Sequence, residues 1–112
     1  MDNAKQSGLA RVVLCTVPDA ETAGMLARRL VEEKLAACCN IVAGIKSVYR
    51  WQGEIHEDDE HLLLIKTTSA VYDMLQARIA ELHPYDTPEI LALPVNQGLQ
   101  KYLNWLEQNT QG

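Results

Sequence analysis

The chain has 112 residues, of which 47% are hydrophobic and 22% are charged, and its formal net charge is −5 at pH 7. This length accommodates one hydrophobic core, and the composition is that of a globular protein, which excludes collagen-like, coiled-coil and disordered classes. The excess of acidic residues opposes binding to phosphate backbones, so we expect no nucleic-acid partner and favour small cations as ligands.

Cellular location is predicted from the absence of export signals and from the cysteine pattern. No apolar stretch reaches the roughly 20 residues of a membrane-spanning helix, and the first residues lack the features of a signal peptide. The three cysteines are an odd number, and two of them are adjacent, which disfavours their pairing. We therefore expect reduced thiols and a cytoplasmic protein that does not contact a membrane.

The first half of the chain predicts a strand, a helix and a second strand. Residues 1–8 are polar and predict a flexible leader, so that a single domain spans residues 9–112. Residues 9–16 are rich in β-branched side chains and predict the first strand. Asp19 is a suitable N-cap for a helix whose apolar residues recur at helical spacing to about Leu35.

The middle of the chain predicts a long hairpin followed by a second helix. Residues 39–51 are rich in β-branched and aromatic side chains, with Gly44 as the only interruption. A turn signal at residues 52–54 leads into a strand over residues 55–68 that pairs back on the preceding one. Residues 69–83 carry one apolar stripe and predict the second helix, which a proline terminates.

The end of the chain predicts a fourth strand and a short last helix. Residues 89–95 form an apolar run in which Pro94 indicates an edge strand or a bulge. The apolar spacing of residues 99–106 is helical. The predicted order is that of an α+β, ferredoxin-like βαββαβ sandwich with an extra C-terminal helix and a long β2-β3 hairpin.

Three predicted strands contain continuous apolar runs, at residues 12–15, 62–65 and 90–93. The strands of a sheet with one solvent-exposed face would alternate apolar and polar residues instead. The two crossover helices cover one face, so the other face needs the last helix, another copy of the chain, or both. We expect self-association; closure by the last helix alone is the alternative, although one short helix covers little sheet.

The predicted topology gathers distant residues at one end of the sheet. Cys15 ends the first strand, His83 ends the second helix, and the loop of residues 85–89 lies at the same end. A thiolate and an imidazole suit copper or zinc better than magnesium or calcium. A third ligand would come from Glu89, another chain, water or substrate. Two simpler interpretations stay open: Cys15 is a small buried hydrophobe, and His83 interacts with the last carbonyls of its helix.

Other candidate sites are weaker. The hairpin carboxylates could attract hard cations, but a solvated acidic hairpin is the simpler interpretation; they are Glu54, Glu57, Asp58, Asp59 and Glu60. Four aromatic residues could stack a ligand but are expected to pack in the core or an interface: Tyr49, Trp51, Tyr102 and Trp105. The first and third strands lack the aromatic rings of RNA-recognition modules. Without a Gly-rich anion cradle, a Ser-His-Asp order or a zincin motif, we predict no conventional enzyme. A cysteine hydrolase that uses Cys15 and His83 is the remaining enzyme alternative.

Six blocks of the sequence resemble the CutA family: LCTVPD (14–19), EKLAACCN (33–40), VYRWQGEI (48–55), IKT (65–67), HPYDTPEI (83–90) and YLNWL (102–106). The blocks span nearly the whole chain, and their order and spacing make the resemblance specific. It implies a ferredoxin-like subunit in a tight homotrimer, cytoplasmic in bacteria, that contributes to tolerance of copper and other divalent cations.

The resemblance also implies copper ligands: Cys15 in the LCT block and two adjacent histidines before the Pro-Tyr pair. His83 stands at the second histidine position, whereas Leu82 stands at the first, which removes one ligand. We predict a homotrimer that binds Cu²⁺, or a similar cation such as Zn²⁺, through Cys15 and His83, and less tightly at acid pH. The family trimer is also similar to PII signalling proteins, which implies, as the alternative, a module that binds a small organic ligand between subunits.

Overall fold

Four strands, three α-helices and a short 3-10 helix at Ser69–Val71 make up the fold of the computed structural model, which describes residues 9–110. The strands are β1 (Ala10–Val17), β2 (Cys38–Trp51), β3 (Glu54–Thr68) and β4 (Leu91–Pro94), and the helices are α1 (Ala20–Glu32), α2 (Tyr72–Leu82) and α3 (Gln100–Gln108). The strands form one antiparallel sheet in the order β2-β3-β1-β4. The ferredoxin-like α+β prediction, with its long hairpin and extra C-terminal helix, is therefore confirmed. The leader predicted for residues 1–8 lies outside the described residues.

Helices α1 and α2 cover one face of the sheet and form the main core with it. The core side chains of β1 and β3 are Val13, Cys15, Val17, Leu63 and Ile65, and those of the helices include Leu26, Leu30, Leu75 and Ile79. The spacing of two in the strands and of three or four in the helices explains why these residues share one interior. None of the helices in residues 9–110 is long and apolar enough to cross a membrane.

Helix α1 begins as predicted but ends earlier. The Asp19 carboxylate accepts a hydrogen bond from the Thr22 N–H at 2.8 Å and caps the helix. The prediction that α1 continues to about Leu35 is wrong, because Lys34 has a φ of 60° and turns the chain out of the helix. The Leu35 N–H then donates to the Leu30 carbonyl at 3.0 Å, and the Leu35 side chain enters the main core.

The opposite face of the sheet is covered only near one end. There Leu106 of α3 packs with Ala10 and Ala37. Beyond this contact, the edge strand β4 leaves Leu91 56% exposed and Leu93 49% exposed. Both lie on the same face as the even-numbered residues of β1 with which they pair. In a single chain, therefore, the last helix does not close this face.

The hairpin of β2 and β3 extends well past the rest of the sheet. Its strands pair out to Trp51 and Glu54, whereas the last residue of β1 pairs with His61. The register shifts in β2 where Gly44 adopts a φ of 74°, so the interruption seen in the sequence is a bulge.

Strand β4 is shorter than predicted. It spans Leu91–Pro94 instead of residues 89–95, and it lies at an edge of the sheet, as Pro94 indicated. One cause is that the Thr16 carbonyl of β1 accepts a hydrogen bond from His83 and not from a residue of β4. The segment between α2 and β4 therefore forms a loop over this end of the sheet.

Candidate functional site

Cys15 is fully buried on the face of β1 that meets the helices. Its Sγ atom lies 3.9 Å from the carbonyl oxygen of Thr16. Burial raises the pKa of the Cys15 thiol to about 12, with smaller contributions from Glu89, Cys39 and Glu60. The thiol is therefore protonated at neutral pH, and coordination of a metal requires the loss of this proton.

His83 caps the C-terminal end of α2 and has a buried side chain. Its Nδ1 atom accepts a hydrogen bond from the Tyr85 N–H at 3.1 Å, and its Nε2 atom lies 2.8 Å from the carbonyl oxygen of Thr16. Because Nδ1 is the acceptor, Nε2 carries the proton and donates it to Thr16. The imidazole thus bonds to β1 and not to the last carbonyls of its helix, and both ring nitrogens have partners.

Cys15 and His83, the two ligand candidates from the sequence, both lie close to the carbonyl oxygen of Thr16. This residue follows Cys15 in β1, and its carbonyl holds the His83 imidazole. Glu89 lines the same cleft as Thr16, so its carboxylate lies at the same end of the sheet. Within residues 9–110, however, no group of three or more His, Cys, Asp or Glu side chains is arranged to hold a metal ion. The described part of one chain therefore supplies candidate ligands without a formed metal centre.

The acidic residues of the hairpin do not converge on one point. Asp59 is 84% exposed at its side chain and forms an ion pair with Lys46 at 3.0 Å. Asp58 accepts a hydrogen bond from the Tyr49 hydroxyl. Glu60 differs from both, because it is only 6% exposed. The expectation that the hairpin carboxylates are exposed to solvent therefore holds for Asp59 but not for Glu60.

Glu60 and Tyr85 form a contact that the sequence analysis missed. The Tyr85 hydroxyl donates to Oε2 of Glu60 at 2.6 Å. Burial, and after it the hydrogen bond to Glu60, raises the pKa of the Tyr85 phenol. One sequence signal could have indicated the burial of Glu60: side chains two residues apart in a strand share a face, and Leu62, two residues further along β3, is apolar. This contact joins the base of the hairpin to the loop after α2.

A cleft of about 490 Å³ lies beside this contact, between the hairpin and the loop. The hairpin contributes Tyr49, Trp51 and Glu60 to its walls, and the loop contributes Tyr85, Asp86 and Glu89. Tyr49 and Trp51, which were expected to pack, are both exposed in the single chain. The same end of the sheet therefore carries both the metal-ligand candidates and a cleft of small-molecule size.

Comparison with known proteins gives a consistent result over nearly the whole chain. A family model described as CutA1 divalent ion tolerance protein matches residues 11–109. The divalent-cation tolerance protein CutA of Thermus thermophilus is 55% identical over 102 residues, which cover 91% of this chain and 99% of that protein. The chloroplastic protein CutA of Arabidopsis thaliana is 44% identical over 98% of this chain, but the match spans only 60% of the plant protein.

Solved structures of similar proteins share the fold described above. The divalent cation tolerance protein of Thermus thermophilus superposes with a TM-score of 0.90 at 55% identity, covering 91% of this chain and 99% of that one. CutA1 from Oryza sativa superposes with a TM-score of 0.90 at 45% identity, covering 95% and 97% of the two chains. The six sequence blocks thus lie in a fold that these relatives have in common.

Proposed function

Because the chain belongs to the CutA1 divalent ion tolerance family, we propose that it contributes to tolerance of divalent cations by binding them itself. Copper is the metal that we expect, with zinc as a further cation of the same class. A thiol and an imidazole are soft and borderline donors, which copper and zinc prefer over magnesium and calcium. We propose no catalytic activity.

Cys15 and His83 are the proposed ligands. The observation that carries this proposal is the 2.8 Å contact between His83 Nε2 and the Thr16 carbonyl, which holds the imidazole against the residue that follows Cys15. Glu89 is a candidate third ligand because it lines the same cleft as Thr16, the residue after Cys15. Since Leu82 supplies no second adjacent imidazole, we expect the third ligand to come from Glu89, water or another copy of the chain.

Metal binding at these residues requires two local changes. The Cys15 thiol must release its proton to solvent. The His83 ring must give up its Thr16 partner, and its proton must move from Nε2 to Nδ1, which breaks the hydrogen bond from the Tyr85 N–H, before Nε2 can bind a metal. The thiolate then becomes available as a ligand in a region of low dielectric, where its negative charge is stabilised by the cation. Because a proton leaves when the metal binds, we expect affinity to rise with pH.

We also propose that the protein is a homotrimer. The support is the apolar face on which Leu91 and Leu93 are about half exposed while α3 covers only the end near Ala10. Association would remove this apolar surface from water, which is the main favourable term in forming stable oligomers. A neighbouring copy on this face would also border the cleft, because Thr16 and Glu60, which line the cleft, lie on the same face as Leu91 and Leu93.

A cytoplasmic location and a single domain over residues 9–112 stay predictions. The cysteines within the described residues are all free, which is typical of a reducing compartment. This supports the cytoplasmic prediction, although the relatives from Arabidopsis thaliana and Oryza sativa are named as chloroplastic and the one from Archaeoglobus fulgidus as periplasmic.

Calorimetric copper titration tests the proposed ligands. The parent would be compared with Cys15→Ala and His83→Ala, and with Cys38→Ala and His56→Ala as controls that remove the same groups elsewhere. We expect each ligand variant to weaken binding by roughly tenfold or more, and each control by less than about twofold. Circular dichroism would verify that every variant is folded. Equal affinities in all five proteins would refute the assignment of these ligands.

A second candidate function is a module that binds a small organic ligand at clefts between subunits. The cleft of about 490 Å³ favours it, because its volume lies in the range of small-molecule sites. A thermal-shift screen of the parent and Cys15→Ala would test it. A ligand that raises the melting temperature of both proteins equally would support this function, whereas stabilisation by metal ions alone would contradict it.

A further inference from the structure

The cleft between the hairpin and the loop combines negative charge with aromatic rings. Among the described residues that line it, Glu60, Asp86 and Glu89 are carboxylates, and none is a lysine or arginine. Tyr49 and Trp51 line the same cleft from the hairpin. We infer that this cleft binds a small organic ammonium ion whose alkyl or aryl group lies against the aromatic side chains.

Glu60 gives the cleft a buried carboxylate that forms no ion pair with any lysine, arginine or histidine of residues 9–110. Its side chain is 6% exposed, and the Tyr85 hydroxyl donates to it at 2.6 Å. That phenol is neutral, and none of the ion pairs found within residues 9–110 involves Glu60. A buried carboxylate is unfavourable unless a cation accompanies it. An ammonium group in the cleft would supply this missing positive charge.

The aromatic wall favours an organic cation over a bare metal ion. Rings of tryptophan and tyrosine attract ammonium groups through their negative faces, and they also bury alkyl surface. The Tyr49 ring is fixed in place, because its hydroxyl bonds to Asp58 and its ring stacks on His56 at 5.5 Å between centroids. A wall that is ordered before binding loses little freedom when a ligand arrives.

The size of the cleft leads to the same ligand class. A volume of about 490 Å³ is far larger than a metal ion needs and is typical of sites for small organic molecules. The carboxylates also do not form a metal-holding group within residues 9–110. This inference rests on the second candidate function and adds to it the charge and class of the ligand.

Titration of the metal-free, full-length protein with two molecules of the same shape tests the inference. The probes are 2-phenylethylammonium and the neutral 2-phenylethanol, and the signals are the indole N–H resonances of Trp51 and Trp105. We expect the ammonium to shift the Trp51 resonance at millimolar concentration and to leave Trp105, which lies on α3, unchanged. The alcohol should bind at least about tenfold more weakly, because it cannot pair with the carboxylates.

A pair of matched variants tests whether the Glu60 carboxylate is the charge that binds the ammonium ion. Glu60→Gln keeps an oxygen that can accept from Tyr85 but removes the charge, and it should weaken ammonium binding by roughly tenfold. Asp59→Asn makes the same charge change one residue away, outside the cleft, and should alter binding by less than about twofold. If Glu60→Gln does not fold, Glu89→Gln at an exposed position of the cleft replaces it, with a weaker effect of the same sign.

The outcomes separate this inference from the function on which it rests. Equal binding of the alcohol and the ammonium would overturn the ammonium class but retain an organic ligand. No shift of the Trp51 resonance by either probe at about 10 mM would overturn both. Equal losses in Glu60→Gln and Asp59→Asn would contradict a specific role of the buried carboxylate.

Discussion

The His83 imidazole is held against β1, with its Nε2 atom 2.8 Å from the carbonyl oxygen of Thr16. The same ring accepts a hydrogen bond from the Tyr85 N–H, so it joins the end of α2, the following loop and the first strand. His83 therefore has a structural role in the metal-free protein, besides its proposed role as a ligand. Its effects on stability and on metal binding must be measured separately.

Removal of the His83 ring should destabilise the fold. In His83→Ala, the Thr16 carbonyl and the Tyr85 N–H both lose a buried partner, and we expect the free energy of unfolding to fall by about 1–3 kcal/mol. His56→Ala, on the outer part of the hairpin, should change it by no more than about 0.5 kcal/mol. Urea denaturation at one fixed protein concentration would measure both. If both variants lower the free energy of unfolding by the same small amount, the His83 contacts contribute little to stability.

The Cys15 thiol should make stability fall at alkaline pH. Its pKa is raised from 9.0 to about 12 in the folded protein. Between these values the unfolded chain releases the proton and the folded chain retains it, so the free energy of unfolding decreases as pH rises, by up to about 1.4 kcal/mol per pH unit.

The control for this alkaline effect is Cys15→Ala, which has no thiol at this position. Its free energy of unfolding should decrease less steeply than that of the parent when both are measured from about pH 9 to about pH 11, within the interval between the two pKa values. Parallel curves for the two proteins would indicate that the thiol is not shielded from water as the structure implies.

The cap of α1 should weaken at acid pH. The hydrogen bond from the Thr22 backbone N–H lowers the pKa of Asp19. This contribution is present above the ordinary pKa of the carboxyl and is lost as pH falls through the lowered value. At pH 7 we expect Asp19→Ala to lower the melting temperature and Asp19→Asn to change it little, because asparagine also caps helices. A melting temperature of Asp19→Ala equal to that of the parent would contradict the cap.

A charge on the uncovered sheet face should prevent self-association. Leu93 is 49% exposed on β4, and Leu93→Glu would place a carboxylate in the proposed interface. Light scattering should give three times the mass of the chain for the parent and a smaller mass for this variant. Met74→Glu, which makes the same change at an exposed position of α2, should stay trimeric. A monomeric parent at micromolar concentration would contradict the proposed trimer.

The element order could be predicted because local signals agreed with one another. Apolar periodicity, the Asp19 cap and the turn before β3 each indicated the element that the structure contains. The end of α1 was missed because Lys34 adopts a positive φ without the glycine or asparagine that usually signals it. The length of β4 was missed because His83 occupies the Thr16 carbonyl, a contact between residues far apart in sequence.

The site was harder to predict than the fold because side-chain direction depends on tertiary contacts. Topology alone places His83 and Cys15 at the same end of the sheet. It does not reveal that the thiol faces the core or that both imidazole nitrogens have partners. The burial of Glu60 was also hidden, because the sequence shows it among solvated hairpin acids and its partner Tyr85 lies 25 positions away. The ligand roles of Cys15 and His83 stay predictions.

X-ray absorption at the copper edge tests the proposed metal site most directly, because it identifies the atoms bound to the metal. With one equivalent of copper per chain, we expect the parent to give both a sulfur and an imidazole signal. Cys15→Ala should lose the sulfur signal while Cys38→Ala retains it. A parent spectrum that contains only oxygen and nitrogen neighbours, or a sulfur signal that persists in Cys15→Ala, would contradict the site.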